Sequence, residues 1–261
     1  FSYGAAKARV GVTRAILLGH VVSRLGASAD GQRTQAIRDF APLEEPKHIR
    51  EFLGSTNWVR WYLSAYYAVA AKILTEYLRP AAGKVFPEKG LGVQPLVEDG
   101  DKAVEAIKLM AMHAIQTAVM DEAGALSMDR PLEQIADACG IAWGGTVLQM
   151  SQDMSHFKVL MMVGKSLTPA QQAWSTVVLE AFAQLCCKRA QRRNLGPMRS
   201  ICWTDHAQVA RAIMDNPETI DVKLLRWLSE IVSDGSEIKA LAGRAARLAD
   251  GTSRNPKDRD E

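Results

Sequence analysis

Apolar and polar positions along this chain fall into two different rhythms, the first mostly helical and the second mixed. Residues 13–24 carry Ala-Ile-Leu-Leu and Val-Val in an otherwise polar setting, which predicts extended chain closed by a turn at Leu25-Gly26. A helix is expected from Asp30, a good N-cap, with Ile37 and Phe40 on one face. Beyond Pro42 and Pro46, Ile49, Phe52, Leu53, Trp58 and Tyr62 keep helical spacing, as does the alanine-rich stretch 65–79. At that spacing Trp58, Trp61 and Tyr62 read as core, although each has a ring that could stack on a nucleic-acid base. Residues 80–100 concentrate proline and glycine and predict a linker. A helix follows near 101–117, with Val104, Ile107, Ala111 and Ile115 in register.

From about 132 the rhythm changes to short strands, expected at 132–138, 145–150 and 157–163. Thr168, Pro169 and Gln171 have capping-box spacing, predicting a helix that runs through Glu180 towards Ala190. A strand at 198–204, a short helix after Asp205, a helix at 222–233 and a strand at 236–241 complete the series. Residues 244–250 read as a last helical turn or two, and 251–261 as a polar tail. Three consecutive strands followed by alternating helix and strand predict a mixed sheet with helices packed on it.

Composition narrows the class. With 261 residues, 48% hydrophobic and 23% charged, the chain is globular and excludes disordered, collagen-like and fibrous types. Its apolar runs fall short of the ~18–20 residues that a membrane span needs. A net charge of +3 permits nucleic-acid binding without demanding it. Cys139, Cys186, Cys187 and Cys202 form no C-x-x-C pair, so they are expected as reduced thiols in a reducing intracellular compartment, without zinc. The chain opens at Phe1 with no basic-then-apolar leader, so no secretory signal is expected, and the start reads as a processed or truncated end.

Three carboxylates stand out of place. Glu180 lies within Val177-Val178-Leu179-Glu180-Ala181-Phe182-Ala183, apolar on nearly every face, where a glutamate loses hydration unless it finds a partner or a cation. Asp137 and Asp205 each end an apolar strand, the position at which sheets with parallel strands bind ligands. Converging carboxylates repel unless cations neutralise them, and oxygen-only ligation favours Mg²⁺ or Mn²⁺. The plainer reading makes Asp205 a helix cap and lets Glu180 reach solvent. Lys188, Arg189, Arg192, Arg193 and Arg199 form a basic cluster that either grips phosphates or lies solvated at a helix C-terminus. His206 follows Asp205 directly and is left outside the catalytic set.

Two ordered groups of motifs resemble the pol polyprotein of gypsy-type LTR retrotransposons. Leu17-Leu18-Gly19-His20-Val21-Val22-Ser23, Ala36-Ile37-Arg38-Asp39-Phe40 and Arg50-Glu51-Phe52-Leu53-Gly54 are similar to the end of the reverse-transcriptase palm and the thumb. Asp137-Ala138-Cys139, Ala142-Trp143-Gly144-Gly145, Leu167-Thr168-Pro169, Trp174-Ser175-Thr176 with Glu180, Thr204-Asp205-His206, Leu224-Leu225-Arg226-Trp227 and Leu248-Ala249-Asp250 resemble the retroelement ribonuclease H domain. Ala136 and Cys139 depart from the Thr and Ser usual there, and Gly251-Thr252 from the usual Ala-Leu.

The resemblance implies a palm-end and thumb remnant at 1–80, a linker and connection helix at 81–120, and at 121–261 an α/β ribonuclease H-like domain, a five-stranded mixed sheet with flanking helices. It implies four acidic positions, Asp137, Glu180, Asp205 and Asp250, holding two Mg²⁺ or Mn²⁺ ions with Asp137 bridging them. The activity implied is endonucleolytic hydrolysis of RNA in RNA/DNA hybrids. The polymerase aspartates are absent from this sequence, so polymerisation is not expected. The alternative is a catalytically silent remnant, a structural or nucleic-acid-binding subunit among other protein subunits of a larger assembly.

Overall fold

Three antiparallel strands, β1 (Arg14–Leu17), β2 (His20–Ser23) and β3 (Gly26–Ala29), open the described part of the chain. The computed structural model describes residues 11–78, 98–211 and 221–241. The β1–β2 turn was not expected, because it places Leu18 as well as Gly19 at positive φ, 52° and 80°, a backbone region that leucine rarely enters. Asp30 caps α1 (Gly31–Arg38) as expected, accepting from the Gln32 amide. Pro46 starts α2 (Pro46–Val59), a single 3₁₀ turn spans Arg60–Tyr62, and α3 (Tyr67–Glu76) and α4 (Glu98–Met112) complete a helical unit around Ile37, Ile49, Phe52, Leu74 and Ile107.

Where the sequence predicted α4 continuing to 117, the chain leaves the helix. The Ile115 amide donates to the Tyr62 carbonyl at 2.9 Å, and β4 (Thr117–Ala118) pairs with β3 instead. Tyr62 is buried as expected, but Trp58 and Trp61 are not core: they remain 41% and 42% exposed. The Trp58 ring stacks on His20 while its indole N–H donates to the Leu18 carbonyl, so the hairpin turn holds the tryptophan at the surface. Of the expected linker, residues 79–97 lie outside the described residues, and 98–100 form the first turn of α4.

The second half begins with α5 (Glu122–Ser127), capped by Asp121. Strands β5 (Leu132–Ala138), β6 (Ala142–Met150) and β7 (Phe157–Ser166) form an antiparallel meander, and β8 (Ser200–Thr204) and β9 (Glu237–Ala240) add to β5 in parallel. The five-stranded order is β7-β6-β5-β8-β9. Along β5, Leu132, Gln134 and Ala136 are buried, and Gln134 bonds across to the long helix α7 (Thr176–Leu195). A Cβ on Gly145 would sit 2.6 Å from the Cys187 sulfur, so glycine there sets how closely α7 approaches the sheet. On the β8–β9 side, α8 (Ala207–Arg211) and α9 (Val222–Val232) close a core of Leu185, Cys202, Val209, Trp227 and Leu228.

The helix expected from Thr168 to Ala190 is broken. The capping box forms, but α6 (Pro169–Gln172) ends after one turn, and Ser175, extended at ψ 155°, becomes the N-cap position of α7. The break turns Trp174 into a cluster with Phe182 and Trp227, edge-on to the former at 5.3 Å. The expected helix at 244–250 and the tail 251–261 lie outside the described residues. Among the described residues, no helix is long and apolar enough to cross a membrane.

The two halves meet along β7. An Arg60 guanidinium N–H donates to the Gly164 carbonyl at 3.1 Å, and Ala68 and Val69 of α3 pack on Ala142. An outer strand that would otherwise offer a free edge is thereby covered.

Candidate metal centre

Parallel pairing of β5 and β8 lays their carboxyl ends side by side. Asp137, the penultimate residue of β5, and Asp205, immediately after β8, consequently become neighbours. The second turn of α7 crosses above them and brings Glu180. One carboxylate oxygen from each of the three lies within 4.8 Å of the other two. Asp137 is 7% and Glu180 3% exposed, whereas Asp205 faces solvent and opens the cluster outward.

The Asp137 carboxylate accepts from the Ala138 amide at 2.7 Å. Glu180 hydrogen-bonds Asp137 and leaves its Oε2 buried with no partner. Burial first, then the hydrogen bond to Asp137 and the charges of Asp137 and Asp205, push the Glu180 carboxyl well above the ordinary carboxylate range. Acids this close cannot all ionise without a counter-charge. An all-oxygen donor set with one buried, unsatisfied oxygen fits a hard divalent cation such as Mg²⁺ or Mn²⁺. Asp250, the fourth expected acid, lies outside the described residues. His206 is not part of the cluster. Its amide donates to the Thr204 hydroxyl, and its Nδ1 is buried without a partner.

The basic cluster needs correcting. Lys188 is fully buried, and its ammonium donates to the hydroxyls of Ser236 at 2.7 Å and Ser200 at 2.8 Å and to the Met198 carbonyl, beside Asp234 at 3.0 Å. It cannot reach a phosphate. Arg189 forms two 2.7 Å bonds to Glu230, and Arg192 pairs with Asp234 at 3.1 Å while donating to the Glu230 carbonyl. Arg199 donates to the Gly235 carbonyl. Arg193 is exposed. The cations that looked solvated mostly fasten α7 to the α9–β9 turn.

One residue behind the site was missed. Gln184, fully buried, donates to the Ala136 carbonyl at 3.0 Å and the Trp203 carbonyl at 2.6 Å, strapping together the two strands that end in Asp137 and Asp205. The signal was present: Gln184 lies one turn after Glu180, a second polar residue in the same apolar run.

Residues 127–233 match the family described as the RNase H-like domain found in reverse transcriptase. The chain is 24% identical over 247 residues to the retrovirus-related Pol polyprotein from transposon opus of Drosophila melanogaster, an alignment covering 94% of this chain and 23% of that protein. It is 23% identical over 239 residues to the corresponding polyprotein from transposon gypsy of the same fly, covering 91% and 22%. The chain thus spans about a quarter of the length of these relatives. Among solved structures, it resembles the foamy viral protease-reverse transcriptase dRH in complex with double-stranded DNA, with TM-score 0.65 and 11% identity over 88% of this chain and 38% of that one. The foamy viral protease-reverse transcriptase in complex with an RNA/DNA hybrid gives TM-score 0.58 and 11% identity, over 88% and 29%.

Proposed function

For a chain related to the gypsy-type retrotransposon pol polyproteins, with a reverse-transcriptase RNase H-like domain at residues 127–233, we propose divalent-cation-dependent endonucleolytic hydrolysis of RNA in RNA/DNA hybrids. The observation that carries this reading is the convergence of Asp137, Glu180 and Asp205 around a buried, unpartnered oxygen. Two Mg²⁺ ions, with Mn²⁺ as substitute, are the proposed cofactors, with Asp250 as a further ligand. When bound, they supply charge to a phosphodiester undergoing in-line displacement.

The chain's own residues prepare that chemistry. The Ala138 amide fixes the rotation of the Asp137 carboxylate, and the Gln184 strap fixes the spacing of the strands. Glu180 holds a proton until a cation replaces it. Asp205, exposed, is the side from which substrate approaches. A hybrid would be recognised by duplex shape, phosphates and 2′-hydroxyls rather than by base edges.

The test is cleavage of an RNA/DNA hybrid with and without Mg²⁺, with single-stranded RNA as control. Asp137→Asn is nearly isosteric and should lower the rate by about 10²–10³. Hybrid cleavage equal in wild type and mutant would overturn the assignment. A second reading, a silent structural subunit, is favoured by one observation: Lys188, Arg189 and Arg192, three of the five cations expected to grip phosphates, are held in ion pairs with Asp234 and Glu230. It predicts a wild type that neither cleaves nor firmly binds hybrid.

A further inference from the structure

The turn that follows Asp137 is held from outside its own sheet. Between β5 and β6 the chain passes through Cys139, Gly140 and Ile141, and the far side of this turn is covered by α3. Ala68 and Val69, each 8% exposed, pack on Ala142, 2% exposed, with Cys139, Tyr66 and Ile73 closing around them. The Cys139 amide donates to the Ala142 carbonyl at 2.8 Å, and its thiol approaches the same oxygen at 3.4 Å. Cys139 is two positions from Asp137, whose carboxylate is fixed by the intervening Ala138 amide. Contact therefore runs without a gap from α3 through Ala142 and Cys139 to a carboxylate of the cluster.

One strand further out the approach is closer still. A Cβ on Gly164 would lie 2.9 Å from the Ala65 carbonyl oxygen and 3.1 Å from that of Trp143. Backbone against backbone leaves no play of the kind that two long side chains would allow. Arg60 adds its bond to the Gly164 carbonyl. The small residues on both sides define a fixed distance, and a packed contact of this type transmits displacement rather than absorbing it.

We infer that α3 is a positioning element for the carboxylate cluster: the N-terminal helical unit, which contributes none of Asp137, Glu180 and Asp205, sets the geometry of the β5–β6 turn and with it the affinity of Asp137 and its neighbours for a divalent cation. The inference rests on the reading of the cluster as a cation site. Groups that orient ligands without touching the ion commonly change metal affinity by about 10–100-fold when altered.

The test uses the full chain and two readouts, Mn²⁺ affinity by titration calorimetry and hydrogen exchange of the Cys139 amide. Val69→Ala empties the contact and Gly164→Ala wedges it open. Both should accelerate exchange at Cys139 and weaken Mn²⁺ binding by about tenfold. Val69→Ile, which keeps a β-branched side chain in the contact, should leave both near their wild-type values. Ile107→Val, trimming the helical core away from the contact, should change neither, which separates positioning from loss of stability. If Gly164→Ala fails to fold, Val69→Ala with its Val69→Ile partner still decides. Asp137→Asn is run alongside. Mn²⁺ binding abolished by Asp137→Asn but unchanged in the α3-contact variants would overturn this inference alone. Binding that Asp137→Asn leaves intact would remove the cation site and the inference with it.

Discussion

Glu180 keeps its proton because burial and two neighbouring carboxylates outweigh the little its anion is offered, a contact with the Ala138 amide, while its Oε2 is buried without a donor. Linkage gives the sign. Its folded-state pKa is raised, so above the ordinary value of 4.5 the unfolded chain releases a proton that the native state retains. Stability of the cation-free protein should therefore fall as pH climbs above that value, by at most about 1.4 kcal/mol per pH unit from this group. Glu180→Gln should flatten that slope, and Mg²⁺ should reverse its effect in wild type by favouring the anion. Thermal melts from pH 5 to 9, with and without Mg²⁺, check both; a slope unchanged by Glu180→Gln would refute the account. This residue was legible in the sequence, because a charge inside an apolar run is conspicuous. Lys188 was not, because Lys-Arg-x-x-Arg-Arg looks the same whether it meets water or the acids and hydroxyls of another element.

Those acids and hydroxyls make Lys188 the peg between α7, β8 and the α9–β9 turn. Burial lowers its pKa, while Asp234, only partly exposed, holds the charge in place. Lys188→Ala should cost about 2–5 kcal/mol in urea unfolding because it empties a fully buried position and leaves Asp234 with Arg192 alone. Lys188→Met fills the space and should cost clearly less than Lys188→Ala. Gly145→Ala drives a Cβ against Cys187 and should cost about 1–3 kcal/mol by the same measurement. Cys187→Ala should relieve only part of this, since the Cys187 Cβ itself is 2.9 Å from the added atom. At this scale β5 fell at its expected residues, and the Thr168 box formed as read, since both depend on local alternation and capping. The fourth strand of the small sheet and the break at Ser175 were hidden. They are decided by a two-residue strand arriving from beyond α4 and by an aromatic cluster completed from α9.

Across the whole molecule, two cores share one seam, and the order of elements in the second half was readable while the seam was not. Nothing in residues 60–69 announces that they will lie on β7 and beside Ala142, because the signal is only Ala65 and Ala68 on one side and Ala142 and Gly164 on the other, small residues that look alike in many settings. The parallel register of β5 and β8 has a further consequence, in time rather than in space. The β5–β6–β7 meander can close through neighbouring turns, but β8 reaches β5 only after α7 has carried the chain across, and such distant pairing is slow to form. Asp137 and Asp205 therefore do not confront each other until the crossover is complete. Their repulsion should be absent at the folding barrier and present in the native state. Without divalent cations, Asp205→Asn should then slow unfolding and leave the refolding rate unchanged in stopped-flow denaturant jumps. Faster refolding instead would mean that β8 has already docked at the barrier, so this acid pair would also set the pace at which the fold forms.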